Sequence, residues 1–548
     1  MAEATPFWRP KSYEDNPYAY AIFDTPYSLN ELKYMDILCQ VLAKPSWWIK
    51  MNDATILAKW KAESQLSDND FAFLEAELKD IAATWKLSDP TSAGTVPSPV
   101  CGVFTTDKLK QSTLHQAIRS AAVKLEEEAR TRGDFHPGSN KQVLDIVHPS
   151  LYCAVNGRTQ ISQTVNALVG DEVLNWPKIG AYDISDKFQW LPTPVKVDDE
   201  GKASFGSYVN NIHPTDHAGM YTALESLFST MLPLFERTLG SNDVVPNLRI
   251  KIRSWYDIMP LGRYESARAK WAEMTKDVPA EETKTEEFQA RRNDFFANFT
   301  DKDVVLNIPQ LPSSFDYQQE YPRRPLSGKN LQVIVKIASI ELTPDNPKYA
   351  GGSWHVEGMT NESIAATGIL YYDCENITTS KLAFRHVFDS QYIDSVGYEQ
   401  DEHAAITGVY GITREGHENL QVVGHVQAEV GRIVVFPNCL QHCVAPFELA
   451  DPTKPGHRKI VCFFLVNPDN SILSTANVPP QQATWSLRSM EKALSSKLPD
   501  VALQSVQDLS GMMTHDEAKK HMEDLMEERK KSSVFAQYLT SEISLCEH

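Results

Sequence analysis

The sequence predicts an α+β protein: an antiparallel barrel or double-sheet jelly roll, wrapped by helices from the N-terminal half and the C-terminal tail. Two observations carry this. From about residue 331 to 466, β-branched and aromatic runs (LQVIVKIASIEL, ESIAATGILYYD, KLAFRHVF, GRIVVFP and RKIVCFFLV) are punctuated by Pro, Gly, Asn and Asp, with no helix-length pattern between them. On both sides of that stretch apolar residues recur at helical spacing instead. The expected organisation is a mainly helical region over 1–300 packing on the core, the β-rich core over 301–470, and C-terminal helices over 471–548.

Taken in order, Ser28 and Glu31 have capping-box spacing before LNELKYMDILCQVLAK, and Leu114, Ile118, Ala121, Ala122 and Leu125 share one face of a longer helix. A further helix is expected over about 218–239, with Met220, Leu224, Leu227, Phe228 and Met231 on its apolar side and a kink at Pro233. The charge-rich stretch from 264 to 300 reads as an exposed helix pair or a mobile excursion. After Pro468 helical signals return: Thr514 and Glu517 form a second capping box, and Ala518, Met522, Leu525 and Met526 line a buried stripe.

Composition narrows the function classes. The 548 residues are 42% hydrophobic and 23% charged, ordinary for a globular protein. Fifty-three Lys and Arg against 72 Asp and Glu give a net charge of −19, which opposes nonspecific attraction to nucleic acid or anionic lipid, so neither is expected as a partner. No basic segment followed by an apolar one opens the chain, and no apolar run reaches the roughly 18 residues of a membrane span. Eight cysteines are too sparse for a disulfide scaffold, and a reduced, cytoplasmic setting is expected. Cys439, His442 and Cys443 lack a second ligand pair at zinc-finger spacing, so no structural zinc is expected there. There is no P-loop, no G-x-G-x-x-G after a strand and no G-x-S-x-G elbow. His213 and His217 in HPTDH read as a turn or cap, because Pro214 can only open a helix.

The chemistry-bearing constellation lies in the β-rich region, where GGSWHVEGM places His355 and Glu357 two residues apart. On a strand, such residues face the same side and can converge on one metal. The same triplet recurs at His515 with Glu517 and His521 with Glu523, but on a helix two residues turn through about 200° and the side chains diverge. His442, just after the strand GRIVVFP, is the favoured third ligand, with His425 as its rival. Two histidines and a carboxylate on one face of an octahedron form the arrangement of non-haem Fe(II) oxygenases. Arg458 opens the strand RKIVCFFLV, where a planar guanidinium can grip a carboxylate bidentately.

The order His-x-acid, distal His and then Arg on a following strand resembles the Fe(II)/2-oxoglutarate-dependent oxygenase superfamily, whose core is a double-stranded β-helix, a jelly roll of cupin-like form. Most of the chain also resembles a fungal family of uncharacterised proteins, through KPSWWIK at 44–50, HPSLYC at 148–153 and GGSWHVEGMTNESIAATGILYYDCENIT at 351–378.

What the superfamily resemblance implies is that His355, Glu357 and His442 are the catalytic iron ligands and that Arg458 anchors 2-oxoglutarate. Glu357 departs from the commoner Asp but stays a hard oxygen ligand. The implied activity is oxidation of a C–H bond by dioxygen, ending in hydroxylation, desaturation or ring closure of a small, carboxylate-bearing substrate such as an amino acid or secondary metabolite. Tyr371, Tyr372, Arg385, Arg414 and Trp354 are the candidate substrate contacts. The competing readings are a JmjC-like protein hydroxylase or demethylase, a cupin-like metal dioxygenase without 2-oxoglutarate, and a noncatalytic binding protein.

Overall fold

The computed structural model describes residues 22–23, 25–87, 94–161, 184–241, 247–252, 258–317, 319, 321–389, 392, 403–413, 417–485, 511–539 and 542–543. The helices used below are α1 (Leu29–Leu42), α2 (Asp68–Thr84), α3 (Thr113–Arg132), α4 (Ala218–Ser241), α5 (Arg263–Met274), α6 (Glu286–Asn298), α7 (Ala404–Tyr410) and α8 (His515–Leu539). The strands are β1 (Thr95–Pro97), β2 (Phe104–Thr106), β3 (Val143–Val147), β4 (Thr193–Val197), β5 (Ala203–Phe205), β6 (Asn330–Leu342), β7 (Ile364–Glu375), β8 (Lys381–Phe388), β9 (Leu420–Gln427), β10 (Ile433–Pro437), β11 (Gln441–Val444) and β12 (Gly456–Val466).

These elements form an α+β structure around a large antiparallel sheet in the order β1-β2-β10-β7-β12-β6-β4-β5, with β3 also paired to β6. A smaller sheet is built on β8, which pairs antiparallel with both β9 and β11. Because side chains alternate along a strand, the large sheet has two distinct faces. Val333, Val335, Ile337, Leu370, Tyr372, Val461, Phe463 and Leu465 share one core with α3 and α4. The alternate residues Ile334, Ile369, Tyr371, Val434, Phe436, Cys462 and Phe464 share another with Leu382, Phe384, Val423 and Val426 of the smaller sheet. The candidate site belongs to this second, inner core.

Gly368 of β7 lets α4 approach the sheet closely: a Cβ there would lie 2.8 Å from Phe235 Cζ and 3.0 Å from Met231 Sδ. Helix α4 runs unbroken through Pro233. Helix α8 buries Ala518, Met522 and Leu525 against the inner core. Its Arg529 stacks 3.7 Å over Trp190 and binds Glu362 at 2.7 Å, while Trp190 itself stacks on Phe464. Helices α1 and α2 have their own core, tied to the chain near 249 by a buried network. Arg249 binds the Glu77 carboxylate at 2.6 Å, and the Glu31 carboxylate accepts from the Arg249 and Ile250 amides. Ser28 caps α1 by accepting from Glu31 N–H, so only half of the expected capping box forms because the Glu31 carboxylate is engaged at Arg249.

Two features differ from the sequence reading. Strands β1 to β5 lie within the region read as helical; at three to five residues each, they are too short to establish a two-residue period. Helix α7 interrupts the β-rich stretch, hidden by its seven-residue length. The 264–300 stretch is the exposed helix pair α5 and α6, held by Trp271 against Phe288 and Phe295. Among the described residues, no helix is long and apolar enough to cross a membrane.

Candidate metal centre

The segment from 351 to 358 is not a regular strand: a single bridge at His355 lies between glycines of positive φ. Gly351 has φ 98°, and a Cβ there would lie 3.0 Å from the Val444 carbonyl oxygen, so glycine lets this backbone lie against the end of β11. Gly352 N–H then donates to Val444 O at 2.9 Å. His355 and His442 form a reciprocal antiparallel bridge: His442 N–H donates to His355 O at 2.9 Å, and His355 N–H to His442 O at 3.2 Å. Directly opposed residues of such a pair project to the same side, so the two rings meet with centroids 4.4 Å apart.

Glu357 is placed by a different device. The buried Asn438, in the turn after β10, accepts from Glu357 N–H and donates to Glu357 O, both at 2.9 Å. The carboxylate Oε1 thereby stands 3.6 Å from His355 Nε2 and 3.4 Å from His442 Nε2. The three ligand atoms lie within 4.8 Å of one another.

This donor set fits a divalent metal. Metal–ligand bonds of about 2.1 Å at right angles put neighbouring ligand atoms roughly 3 Å apart, so each Glu357–histidine separation is within about half an ångström of that spacing. His355 Nδ1 lies 2.8 Å from Ser353 O, and donating there leaves Nε2 its lone pair, the tautomer a ligand needs. Burial opposes charge on Glu357, but the two imidazoles outweigh it and hold the carboxyl well below its usual range. Burial, helped by His355, pushes His442 below an ordinary imidazole, whereas Glu357 outweighs burial and raises His355. His442 is 4% exposed and His355 45%, so the centre opens on the His355 side. The Phe436 ring backs His442 at 4.7 Å.

The other candidates fall into place around this centre. Arg458 is buried on the inner face of β12, with its guanidinium 4.8 Å over the Tyr371 ring. No carboxylate pairs with it among the described residues, and its Nε and Thr367 Oγ1 are buried without a hydrogen-bond partner. Two orphaned polar groups in one apolar interior fit a bound polar molecule. Tyr372 faces the other way: its hydroxyl donates to Glu126 of α3 at 2.8 Å, which removes it from the site because adjacent strand residues alternate. Arg385 sits opposite Gln441 on the rim, donating to its Oε1 at 2.7 Å and lying 4.8 Å over the Trp354 ring. Arg414 lies outside the described residues. His425 pairs with Asp36 of α1 at 3.3 Å and takes no part in the centre. His213 Nδ1 accepts from Asp216 N–H in the turn before α4.

Two residues escaped the sequence reading. Asn438 was visible only as part of a Pro-Asn turn. Lys336 is the one charge on the inner face of β6, opposite Cys462, where Glu357 and Asp145 outweigh burial and keep it protonated. A second grouping, His136, Asp145 and His148, also brings three ligand atoms within 4.8 Å. Cys439 and Cys443 belong to neither group.

Comparison with known proteins gives a family but no activity. The family described as a protein of unknown function, DUF4246, matches residues 68–489, and its N-terminal domain matches residues 4–63. No curated protein matches the sequence. A selenomethionine-labelled Fe(II)/(alpha)ketoglutarate-dependent dioxygenase, TqaL, is 16% identical with a TM-score of 0.17, over 34% of this chain and 57% of that one. IDO from Bacillus thuringiensis is 12% identical with a TM-score of 0.16, over 33% and 59%. A bsmA homolog from Methylobium petroleophilum is 10% identical with a TM-score of 0.15, over 34% and 54%. The chain spans less than two thirds of the length of each, and overlaps this small carry no argument about its chemistry.

Proposed function

Since the chain belongs to the DUF4246 family, a membership that assigns no chemistry, we propose from the centre itself that it is an Fe(II)/2-oxoglutarate-dependent oxygenase acting on a C–H bond of a small, carboxylate-bearing molecule. In this reading the two sheets are the halves of a jelly roll. The observation that carries it is the conjunction of the His355, Glu357 and His442 cluster with a buried, unpaired Arg458 on the same inner face.

Each residue has a distinct task. His355 and His442 present Nε2 lone pairs, and Glu357 supplies the anionic oxygen, leaving half of an octahedron for other ligands. Arg458 holds the remote carboxylate of 2-oxoglutarate, and Tyr371 beneath it keeps the guanidinium planar and in place. Phe384, Phe436, Val434 and Ile369 keep bulk water from the inner face. With Fe(II), 2-oxoglutarate and dioxygen bound, such a site supplies oxidative decarboxylation to succinate and carbon dioxide, coupled to insertion of one oxygen atom into the substrate C–H bond. A cupin-like enzyme without 2-oxoglutarate would leave the buried Arg458 cation with nothing to neutralise it, and burying an unpaired charge is costly.

The test is metal content and 2-oxoglutarate binding. Anaerobic addition of Fe(II) and then 2-oxoglutarate should produce a visible charge-transfer band and, in air, release succinate. Glu357→Ala should lose the metal. Full metal content in that variant refutes the ligand assignment.

A further inference from the structure

We propose that Lys336, Asp145 and His148 form a second subsite on the inner face that binds the α-carboxylate and α-ammonium of a free amino acid, which makes the oxygenase substrate an amino acid. This rests on the reading above and names its substrate class.

The placement comes from strand register. Ile334, Lys336 and Ala338 share the inner face of β6, and Asp145 of β3 stands directly opposite Ala338. Lys336 and Asp145 are therefore diagonal neighbours, about 7 to 8 Å apart at the backbone. Opposite charges so placed could close an ion pair, yet no contact within ion-pair distance forms between them. Asp145 is 6% exposed; its Oδ2 is taken by His136 Nδ1 at 2.9 Å, but its Oδ1 is buried with no partner. Lys336 is half-buried and has no hydrogen bond or ion pair among the described residues. Two opposite charges that are not paired with each other, one of them with a buried oxygen left without a partner, match a zwitterion: a lone cation would meet Lys336, and a lone anion would meet Asp145.

His148 decides between an organic ligand and a second metal. Ser150 N–H donates to His148 Nδ1 at 3.2 Å, which assigns the proton of the neutral ring to Nε2. That ring offers a donor rather than a lone pair, so the His136, Asp145 and His148 grouping is poorly suited to a metal and well suited to a carboxylate oxygen. Burial pushes His148 down to about 3, so the ring stays neutral. Burial opposes the charge on Asp145 as well, yet its carboxyl is held below the usual range, with His136 hydrogen-bonded to Oδ2. The bound amino acid would sit on the inner face that also carries Arg458, since Lys336 stands opposite Cys462 of β12, two strand steps from Phe464 and four residues along β12 from Arg458. Lys336 thus takes the role that the sequence offered to Arg385, whose guanidinium is engaged by Gln441 and Trp354 on the rim.

The experiment is calorimetric titration of the full-length, Mn(II)- and 2-oxoglutarate-loaded protein with the common L-amino acids, each as the free form, the N-acetyl derivative and the carboxamide. At least one free amino acid should bind, and either blocking group should weaken it about thirtyfold or more, as expected for a buried charge left unpaired. Asp145→Asn and Lys336→Met should weaken the free amino acid to a similar degree while metal content and the 2-oxoglutarate band are unchanged. The proposal is overturned if no amino acid binds, if the blocked forms bind as well as the free one, or if Asp145→Asn loses an equivalent of metal. Failure of the wild-type protein to hold metal or 2-oxoglutarate, with amino-acid binding intact, would sink the oxygenase reading and leave the subsite standing.

Discussion

Replacing Asn438 by Ala isolates what orients the carboxylate of the centre. Asn438 makes two hydrogen bonds of 2.9 Å to the backbone of Glu357 and none of its atoms belongs to the cluster. Each such bond is worth about 0.5 to 1.5 kcal/mol net, so the fold should lose roughly 1 to 3 kcal/mol. The larger effect should be on metal. Without Asn438 the Glu357 backbone loses both of these bonds, and its nearest backbone anchor is the His355–His442 bridge two residues away; loss of an orienting partner of this kind typically costs 10- to 100-fold in metal affinity. Competition for Mn(II) against a chelator of known affinity measures this directly. Asn438→Asp keeps the acceptor for Glu357 N–H but loses the donor to its carbonyl, and should fall between wild type and Ala. If the Ala variant loses stability but binds metal as tightly as wild type, the centre does not depend on this clamp and the account of its assembly is wrong.

Arg458→Met should keep the metal and weaken 2-oxoglutarate binding about thirtyfold or more, read from the charge-transfer band; an unchanged affinity would remove Arg458 from the site. Metal binding should release about one proton per ion below neutral pH. Glu357 is already ionised and His442 already neutral, whereas His355, raised above the ordinary imidazole value of about 6.5, must lose its proton. Metal affinity should therefore climb as pH rises through the His355 value and flatten above it; release of two protons would contradict the assignment of His442. Arg249→Met leaves Glu77 and Glu31 buried without their cation and should destabilise α1 and α2 by about 3 to 5 kcal/mol, seen as a lowered thermal midpoint.

The residues of the centre could be found in the sequence because an imidazole and a carboxylate two apart, followed by a histidine at a strand start, is a pattern of side-chain types rather than of long-range packing. The mechanism of convergence could not. His355 and Glu357 share a side through a two-residue bridge and an asparagine 81 positions away, not through a strand ladder. Tyr371 and Tyr372 show a related limit: adjacent strand residues take opposite faces, and only the neighbouring sheet and helix decide which is inward. Lys336 carried a usable signal, a cation flanked on both sides by apolar strand residues, but nothing local pairs it with Asp145. Helices with caps and long apolar stripes were readable, whereas the three- to five-residue strands between 95 and 205 were not.

Those short strands matter beyond geometry. β2 covers β10 on one flank of the large sheet, while β3 and β4 cover β6 on the other. A fragment trimmed to the stretch from 301 to 470 would carry every side chain of the metal cluster, yet expose two rows of unsatisfied amides and carbonyls, a template for intermolecular stacking. The portion of the chain that carries the candidate centre is thus edged on both flanks by segments that contribute no ligand to it.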